Sequence, residues 1–224
     1  MQKLDSTGRN DKAPARARGR PRAFDREAAL AKATRLFWAR GYEATSISEL
    51  TAAMEIGAPS LYAAFGSKEA LYAEAVRYYR ENYESVVWGR FFAAATAREA
   101  VNVLLMDSAA ALTGSVVDIP HGCMVTLSSV GSEGHAELGD LVRAARAFTF
   151  DSLKARFGQA MEEGEIPVGS DIDALARFVQ TVQNGMSILA RDGIGRAELE
   201  AAADLAMAAW DARTGGGAGG SAPS

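Results

Sequence analysis

An all-α fold is predicted by three features of the sequence. Apolar residues recur three and four positions apart, the spacing of one helix face, while the strict alternation of a half-buried strand is scarce. Capping residues and glycines stand where the apolar stripes begin and end.

Asp25 is placed to cap a first helix along which Leu30, Ala33 and Phe37 share a face, and Gly41 supplies a left-handed stop. Ser46 and Glu49 form an S-x-x-E capping box for a short second helix, with Ile47, Leu50 and Met54 in one stripe until Gly57 interrupts it. Pro59 suits the first turn of a third, very short helix that puts Leu61 and Phe65 on one face and ends at Gly66. Ser67 caps a fourth helix that starts at Lys68 and runs through Leu71, Ala75 and Tyr78 to about Val87. Further helices are predicted over 97–114, 121–131, 135–163, 171–191 and 196–212, separated by Gly, Pro, Asp and Ser clusters. The expected organisation is a disordered basic arm (1–24), a small helical unit (25–70), a larger helical domain (71–213) and a flexible Gly-rich tail (214–224).

The chain has 224 residues, 48% hydrophobic and 23% charged, which is a globular composition. No stretch approaches the roughly 18 uninterrupted apolar residues of a membrane span, so no membrane partner is expected. The first two dozen residues are basic and polar, unlike a secretory leader. A single cysteine, Cys123, forms no disulfide within the chain, and the reducing cytoplasm is the simplest compartment. His121 and His135 are too isolated for a metal site, and no phosphate-binding glycine loop or identifiable catalytic carboxylate pair is present. No metal, no cofactor and no catalytic residue is therefore expected. The net charge of −4 hides an asymmetry. Residues 1–24 hold seven basic side chains against two acidic ones, and the remainder holds 17 against 26. A polyanion feels the field within about 8–10 Å, so the N-terminus is where one would bind.

The most informative stretch is 45–66. A helix of about two turns, a tight turn at Gly57 and a second short helix are the parts of a helix-turn-helix, whose second helix enters the major groove. Leu50, Met54, Ile56, Leu61 and Phe65 would pack on Leu36 and Phe37. Ser46, Ser48, Ala58, Ser60 and Tyr62 would face outward, small or hydroxylic, allowing close approach to phosphates and base edges. An ordinary helical hairpin has the same spacing.

At these residues the sequence resembles the tetracycline-repressor (TetR) family of bacterial transcription regulators. The resemblance is carried by Arg26 to Gly41, then Tyr42-Glu43-Ala44-Thr45-Ser46-Ile47-Ser48-Glu49-Leu50, Ser60-Leu61-Tyr62, Phe65, and Ser67-Lys68-Glu69-Ala70-Leu71. It implies DNA contacts from Ser46 and Ser48, from Ala58, Pro59, Ser60 and Tyr62, and from Lys68. Many members have a histidine before the last aromatic of the third helix where this chain has Ala64, which implies fewer direct contacts and more reliance on the arm. There, Arg18-Gly19-Arg20-Pro21-Arg22 resembles the core of an AT-hook, with Arg18, Arg20 and Arg22 suited to a narrow A·T minor groove. Nonspecific phosphate attraction by a basic tail is the alternative.

In the C-terminal half, Leu175, Phe178, Val179, Val182, Met186 and Leu189 form one stripe and Leu199, Ala203, Ala206 and Trp210 another. The resemblance implies that the last two helices make a homodimer interface, through Phe178, Val182, Met186, Leu199, Ala203, Ala206 and Trp210. Burial within one chain would use part of the same stripes. Trp88, Phe92, Met106, Cys123, Met124 and Phe148 could line a pocket for a small, hydrophobic effector, with Gln180, Gln183 and Asn184 as polar anchors, or could be plain core. Cys123 near His121 could be a sensing thiol or a small buried hydrophobe. The function these readings predict is a ligand-responsive DNA-binding regulator, a repressor that binds a pseudo-palindromic double-stranded operator as a homodimer. The alternative is a small helical enzyme or ligand carrier with a basic tail.

Overall fold

The computed structural model describes residues 25–116, 118–132 and 134–215; the expected arm and all but the first two residues of the expected tail lie outside them. Among the described residues, eight α-helices run in the order α1 (Arg26–Arg40), α2 (Ile47–Met54), α3 (Ala58–Phe65), α4 (Lys68–Ala93), α5 (Ala97–Leu112), α6 (Ala136–Glu162), α7 (Ile172–Arg191) and α8 (Arg196–Thr214), with a short 3-10 turn at Val130–Ser132. Among the described residues there is no strand, and no helix is long and apolar enough to cross a membrane.

The helix starts follow from local chemistry. Asp25 accepts a hydrogen bond from the Ala28 N–H at 3.0 Å, Ser46 and Glu49 close the capping box, and Ser67 accepts from the Ala70 N–H at 3.1 Å. Each such cap is worth about 1 kcal/mol. The second helix stops at Glu55, which takes φ +60 in the left-handed region, before the Gly57 at which the sequence places the break. The fourth continues to Ala93, past the predicted Val87, because Trp88 and Phe91 extend its buried face.

Two apolar clusters organise the chain. One gathers Phe37, Trp38, Leu50, Leu61, Phe65, Leu71 and Tyr72 from α1 to the first half of α4; the other gathers Trp88, Leu104, Leu105, Phe157, Met186, Leu199 and Trp210 from the end of α4 to α8. Eleven of the sixteen residues of α5 are buried, so it is the central helix of this larger body. An unbroken α4, about 39 Å long at 1.5 Å per residue, runs through both clusters. The boundary expected at residue 70 falls in its first turn.

The helix predicted at 121–131 does not form. Gly122 takes φ +77, and carbonyls that a helix would use internally are taken by side chains from elsewhere: Arg191 binds that of His121, Trp38 that of Gly122, and Arg146 those of Val125, Thr126 and Ser128. The segment is instead a string of turns. Met124, Val125 and Val130 pack with the N-terminal cluster, and Cys123 touches both.

Candidate nucleic-acid interface and cavity

The N-terminal unit presents a small, hydroxylic surface. On α3, Leu61 and Phe65 are buried while Pro59, Ser60 and Tyr62 are exposed and Ala58 is half-buried. Ser48 is exposed in the first turn of α2. Ser46 is also exposed, but its hydroxyl is engaged as the cap, accepting from the Glu49 N–H at 3.2 Å and donating to the Glu49 carboxylate at 2.8 Å.

Charge is scarce on this surface. Residues 25–75 hold five basic side chains against seven acidic ones. Arg26 pairs with Glu74, Lys32 with Glu55, Arg35 with Asp118 and Arg40 with Glu49. Lys68 has no carboxylate partner among the described residues. Its ammonium sits 4.1 Å from the centre of the Tyr42 ring, at the N-terminus of α4.

Arg26, which sequence reasoning passed over as a functional residue, positions α3. Its guanidinium donates to Glu74 at 2.7 and 2.8 Å and to the Ala64 carbonyl at 3.2 and 3.3 Å, and lies 4.4 Å from the centre of the Phe65 ring. One cation thus ties α1 to α4 and sits on a last-turn carbonyl of α3, where the helix dipole favours it. Its partners lie 38 and 48 residues away, so no local signal marks it. Below, the Tyr42 hydroxyl donates to Glu69 at 2.9 Å. Burial, then Glu69, pushes the Tyr42 phenol well above its usual range, while its own backbone N–H, Tyr42 and Ser67 hold Glu69 below the usual carboxylate value.

A cavity of about 70 Å³ lies between α4, α5, α6, α7 and the turns after Gly122. Of the predicted lining, Trp88, Cys123, Phe148, Gln180 and Asn184 meet there, with Gln183. Phe92 does not, being 62% exposed on the outside of α4. Met106 packs on the body core, and Met124 is buried in the N-terminal cluster. Sequence reasoning missed Tyr79, Tyr83, Thr126 and Arg146. An i, i+4 pair of tyrosines on the fourth helix was the available sign.

Polar groups thread the wall. Gln183 donates to Ser108 at 2.9 Å, Thr126 to Asn184 at 3.3 Å, and the Cys123 N–H to Ser187 at 2.8 Å. The Tyr79 hydroxyl donates to the Cys123 sulfur at 3.3 Å, and burial, then Cys123, pushes its phenol far up, so it stays a donor. The His121 ring lies beside Gly114 instead of the thiol.

The last two helices spend much of their stripes inside one protomer. Met186, Leu199, Ala203 and Trp210 are at most 2% exposed, and Ala206 is buried too, so these five predicted interface residues serve the protomer's own core. Phe178 is 38% exposed and Val182 is half-buried. Ile188, Leu189 and Leu205, the last 75% exposed, add apolar surface that the predicted interface residues did not include.

A capped helix-turn-helix joined by one long helix to a larger, cavity-bearing helical body defines a DNA-binding regulator. The family model described as bacterial regulatory proteins, tetR family, matches residues 29–75. The HTH-type transcriptional repressor ComR of Escherichia coli (strain K12) is 33% identical over 198 residues, covering 87% of this chain and 93% of that protein. Among solved structures, a cysteine-substituted form of the TetR family transcriptional regulator CifR, complexed with 26-base-pair double-strand operator DNA, is 38% identical with a TM-score of 0.79, covering 85% of this chain and all of that one. A TetR transcriptional regulator from Chloroflexus aurantiacus J-10-FL shares the fold at a TM-score of 0.72 and 24% identity, covering 84% and 94%. The chain belongs to the tetR family of bacterial regulatory proteins. It is a DNA-binding transcriptional regulator and not an enzyme, which closes the enzyme alternative.

Proposed function

We propose that this chain is a homodimeric repressor of a pseudo-palindromic operator, released by a small effector held in the cavity among α4, α5, α6 and α7. The observation that carries it is the exposed Pro59-Ser60-Tyr62 face, clamped by Arg26, on a body with a polar-lined cavity. ComR, named a repressor, supports the direction of regulation, and CifR, solved on operator DNA, supports the DNA partner. DNA contacts fall to Ser46, Ser48, Ala58, Pro59, Ser60, Tyr62 and Lys68, with Arg18, Arg20 and Arg22 of the arm supplying the positive field that the acidic unit of 25–75 lacks. Such a protein works in the compartment that holds the chromosome.

The lining favours an effector less apolar than its aromatic residues alone imply. Asn184, Gln183 and Tyr83 line the cavity, and among the described residues the Asn184 amide N–H groups, the Gln183 amide oxygen and the Tyr83 hydroxyl have no hydrogen-bond partner and are free to serve a ligand. Trp88 and Phe148 offer flat apolar walls, so a small ring carrying a hydroxyl or carbonyl fits better than a hydrocarbon. The volume is below the roughly 300–1,000 Å³ of most ligand sites, so binding must enlarge it.

Footprinting the purified protein on genomic fragments tests the reading; protection of a two-half-site palindrome is expected, and uniform weak binding everywhere overturns it. Sedimentation tests the dimer. Phe178→Glu with Leu205→Glu should give monomers, because an unpaired carboxylate buried at an interface costs several kcal/mol, on the order of 3–5. A double variant that stays fully dimeric moves the interface elsewhere.

A further inference from the structure

We propose that the effector of this regulator is a small aromatic carboxylate whose anionic end is held by Arg146 in the cavity wall. The inference rests on the proposed effector role of the cavity and names the chemical class that role admits.

Among the described residues, two charged side chains line the cavity, Glu84 on α4 and Arg146 on α6. Glu84 is compensated, since Arg80 one turn earlier donates to its carboxylate at 2.6 Å. Arg146 is half-buried and has no carboxylate partner among the described residues. Its Nε–H donates to the Val125 carbonyl at 3.0 Å, and its Nη2 donates to the carbonyls of Thr126, at 3.2 Å, and Ser128. These bonds use three of the five guanidinium N–H groups, and the two on Nη1 have no hydrogen-bond partner among the described residues. Backbone carbonyls satisfy donors but bring no opposing charge. Arg80, Glu84 and Arg146 together therefore leave one positive charge over, in partly dehydrated surroundings where an anion gains more than it does in water.

The cation is also held in place. Gln180 donates to the Arg146 carbonyl at 3.2 Å while three carbonyls fix the guanidinium, so little ordering remains to be done when an anion arrives. The rest of the lining defines the anion's shape. Trp88 and Phe148 meet edge to face, 5.3 Å between centres, and give a flat ring its apolar wall. Asn184, Gln183 and Tyr83 can serve a second polar substituent. The Trp88 side can also yield: Phe92, stacked on Trp88 at 5.7 Å between centres, is 62% exposed, so enlarging the cavity there moves aromatic surface toward solvent instead of into packed core. An alkyl carboxylate meets the cation alone and a phenol meets the ring wall and anchors alone. An aromatic acid meets all of them.

Three probes separate the classes: 4-hydroxybenzoate, 4-hydroxybenzamide and 4-hydroxybenzylamine share a ring and a hydroxyl and carry an anionic, a neutral and a cationic group. Titration calorimetry of the full chain at neutral pH should show the carboxylate binding roughly 10–150-fold tighter than the carboxamide, the span of one charge-assisted hydrogen bond, and the amine weakest. Glu84→Gln removes negative charge from the wall and leaves Arg146 in place; it should tighten the carboxylate about 3–10-fold and move the carboxamide by less than about twofold. Arg146→Lys should shrink the preference for the carboxylate and Arg146→Gln should abolish it, both checked by thermal unfolding. Should the Arg146 variants fail to fold, Glu84→Gln and the wild-type series still decide. A carboxamide that binds the wild type as tightly as the carboxylate overturns the proposal and leaves the cavity an effector site. So does a preference that neither Glu84→Gln nor any folded Arg146 variant changes. If no probe binds, the anionic class falls too, and the footprint decides the repressor reading separately.

Discussion

Arg26 and Lys68 are cations of the same small unit with opposite assignments, and salt separates them. Arg26 is satisfied by Glu74 and the Ala64 carbonyl, so it releases no counterion from DNA. Arg26→Ala should lower operator affinity by misplacing α3 and leave the salt slope unchanged; losing about 1 kcal/mol would lower the melting temperature by about 2–4 °C. Tyr62→Phe with Lys68→Ala should weaken binding to every sequence and reduce the slope by about one. Titrations at several salt concentrations check both, and equal slopes in the two variants would refute the division of roles. Glu69 carries a pH signature. Its carboxyl is held low in the folded chain, so its contribution is complete above the unfolded value of about 4.3 and is lost as pH falls through the folded value. Urea unfolding should therefore show the wild type more stable than Glu69→Gln at pH 7, with the gap closing below pH 4. The caps at Asp25, Ser46 and Ser67 were readable from sequence because donor and acceptor lie three residues apart. Arg26, Trp38 and Arg191 were not, because their partners are 38 to 153 residues away and nothing in the local pattern names a carbonyl.

At the scale of elements, periodicity found the helices that bury one stripe and misread the segment that serves two neighbours. Met124, Val125, Leu127 and Val130 are apolar enough to suggest a helix at 121–131, yet Met124, Val125 and Val130 face the N-terminal cluster from turns whose carbonyls are bound from outside. Apolar content reports burial; it does not report which backbone groups remain free to make a helix. Two glycines test this placement. Gly41 and Gly122 both have positive φ, at +82 and +77, but a Cβ at Gly41 meets nothing within 4 Å while one at Gly122 meets Ser187 and Leu127. Gly41 takes ψ 172, an extended conformation reserved for glycine instead of the expected left-handed helical stop, so Gly41→Ala should cost the backbone strain alone, about 1–3 kcal/mol, and Gly122→Ala more because a neighbour must also move. Thermal unfolding of the two variants should rank them in that order. A Gly122→Ala protein as stable as Gly41→Ala would mean the turns are not seated as described. The cavity was half readable for a related reason: residue type drew attention to Trp88 and Phe148, but which side of α4 and α6 faces inward depends on packing across the body.

For the whole molecule, basic charge gathers at the N-terminus of the sequence while uncovered apolar side chains gather on α7 and α8. The stripes of α7 and α8 announced burial without saying against what, and the protomer core took Met186, Leu199 and Trp210, leaving Phe178 and Leu205 outward. The reading end has the reverse problem: its described surface of 25–75 is acidic in sum, so affinity for a polyanion must come largely from the seven basic residues of 1–24, which lie outside the described residues. Deleting residues 1–22 should therefore lower operator affinity without changing thermal unfolding, since α1 begins at Arg26 with its own cap at Asp25. Arg18 and Arg20 allow a sharper test. A guanidinium is less strongly hydrated than an ammonium and suits the narrow minor groove of A·T tracts, so changing both to Lys should weaken operators flanked by A·T more than those flanked by G·C. A basic tail acting only on phosphates would keep nearly all its binding after Arg→Lys and lose it equally on both flanks after Arg→Ala. Titrating wild type and both double variants against the two flanking types at one salt concentration decides between them. Equal losses on the two operators would remove the minor groove from the account and leave a long-range field as the arm's whole contribution.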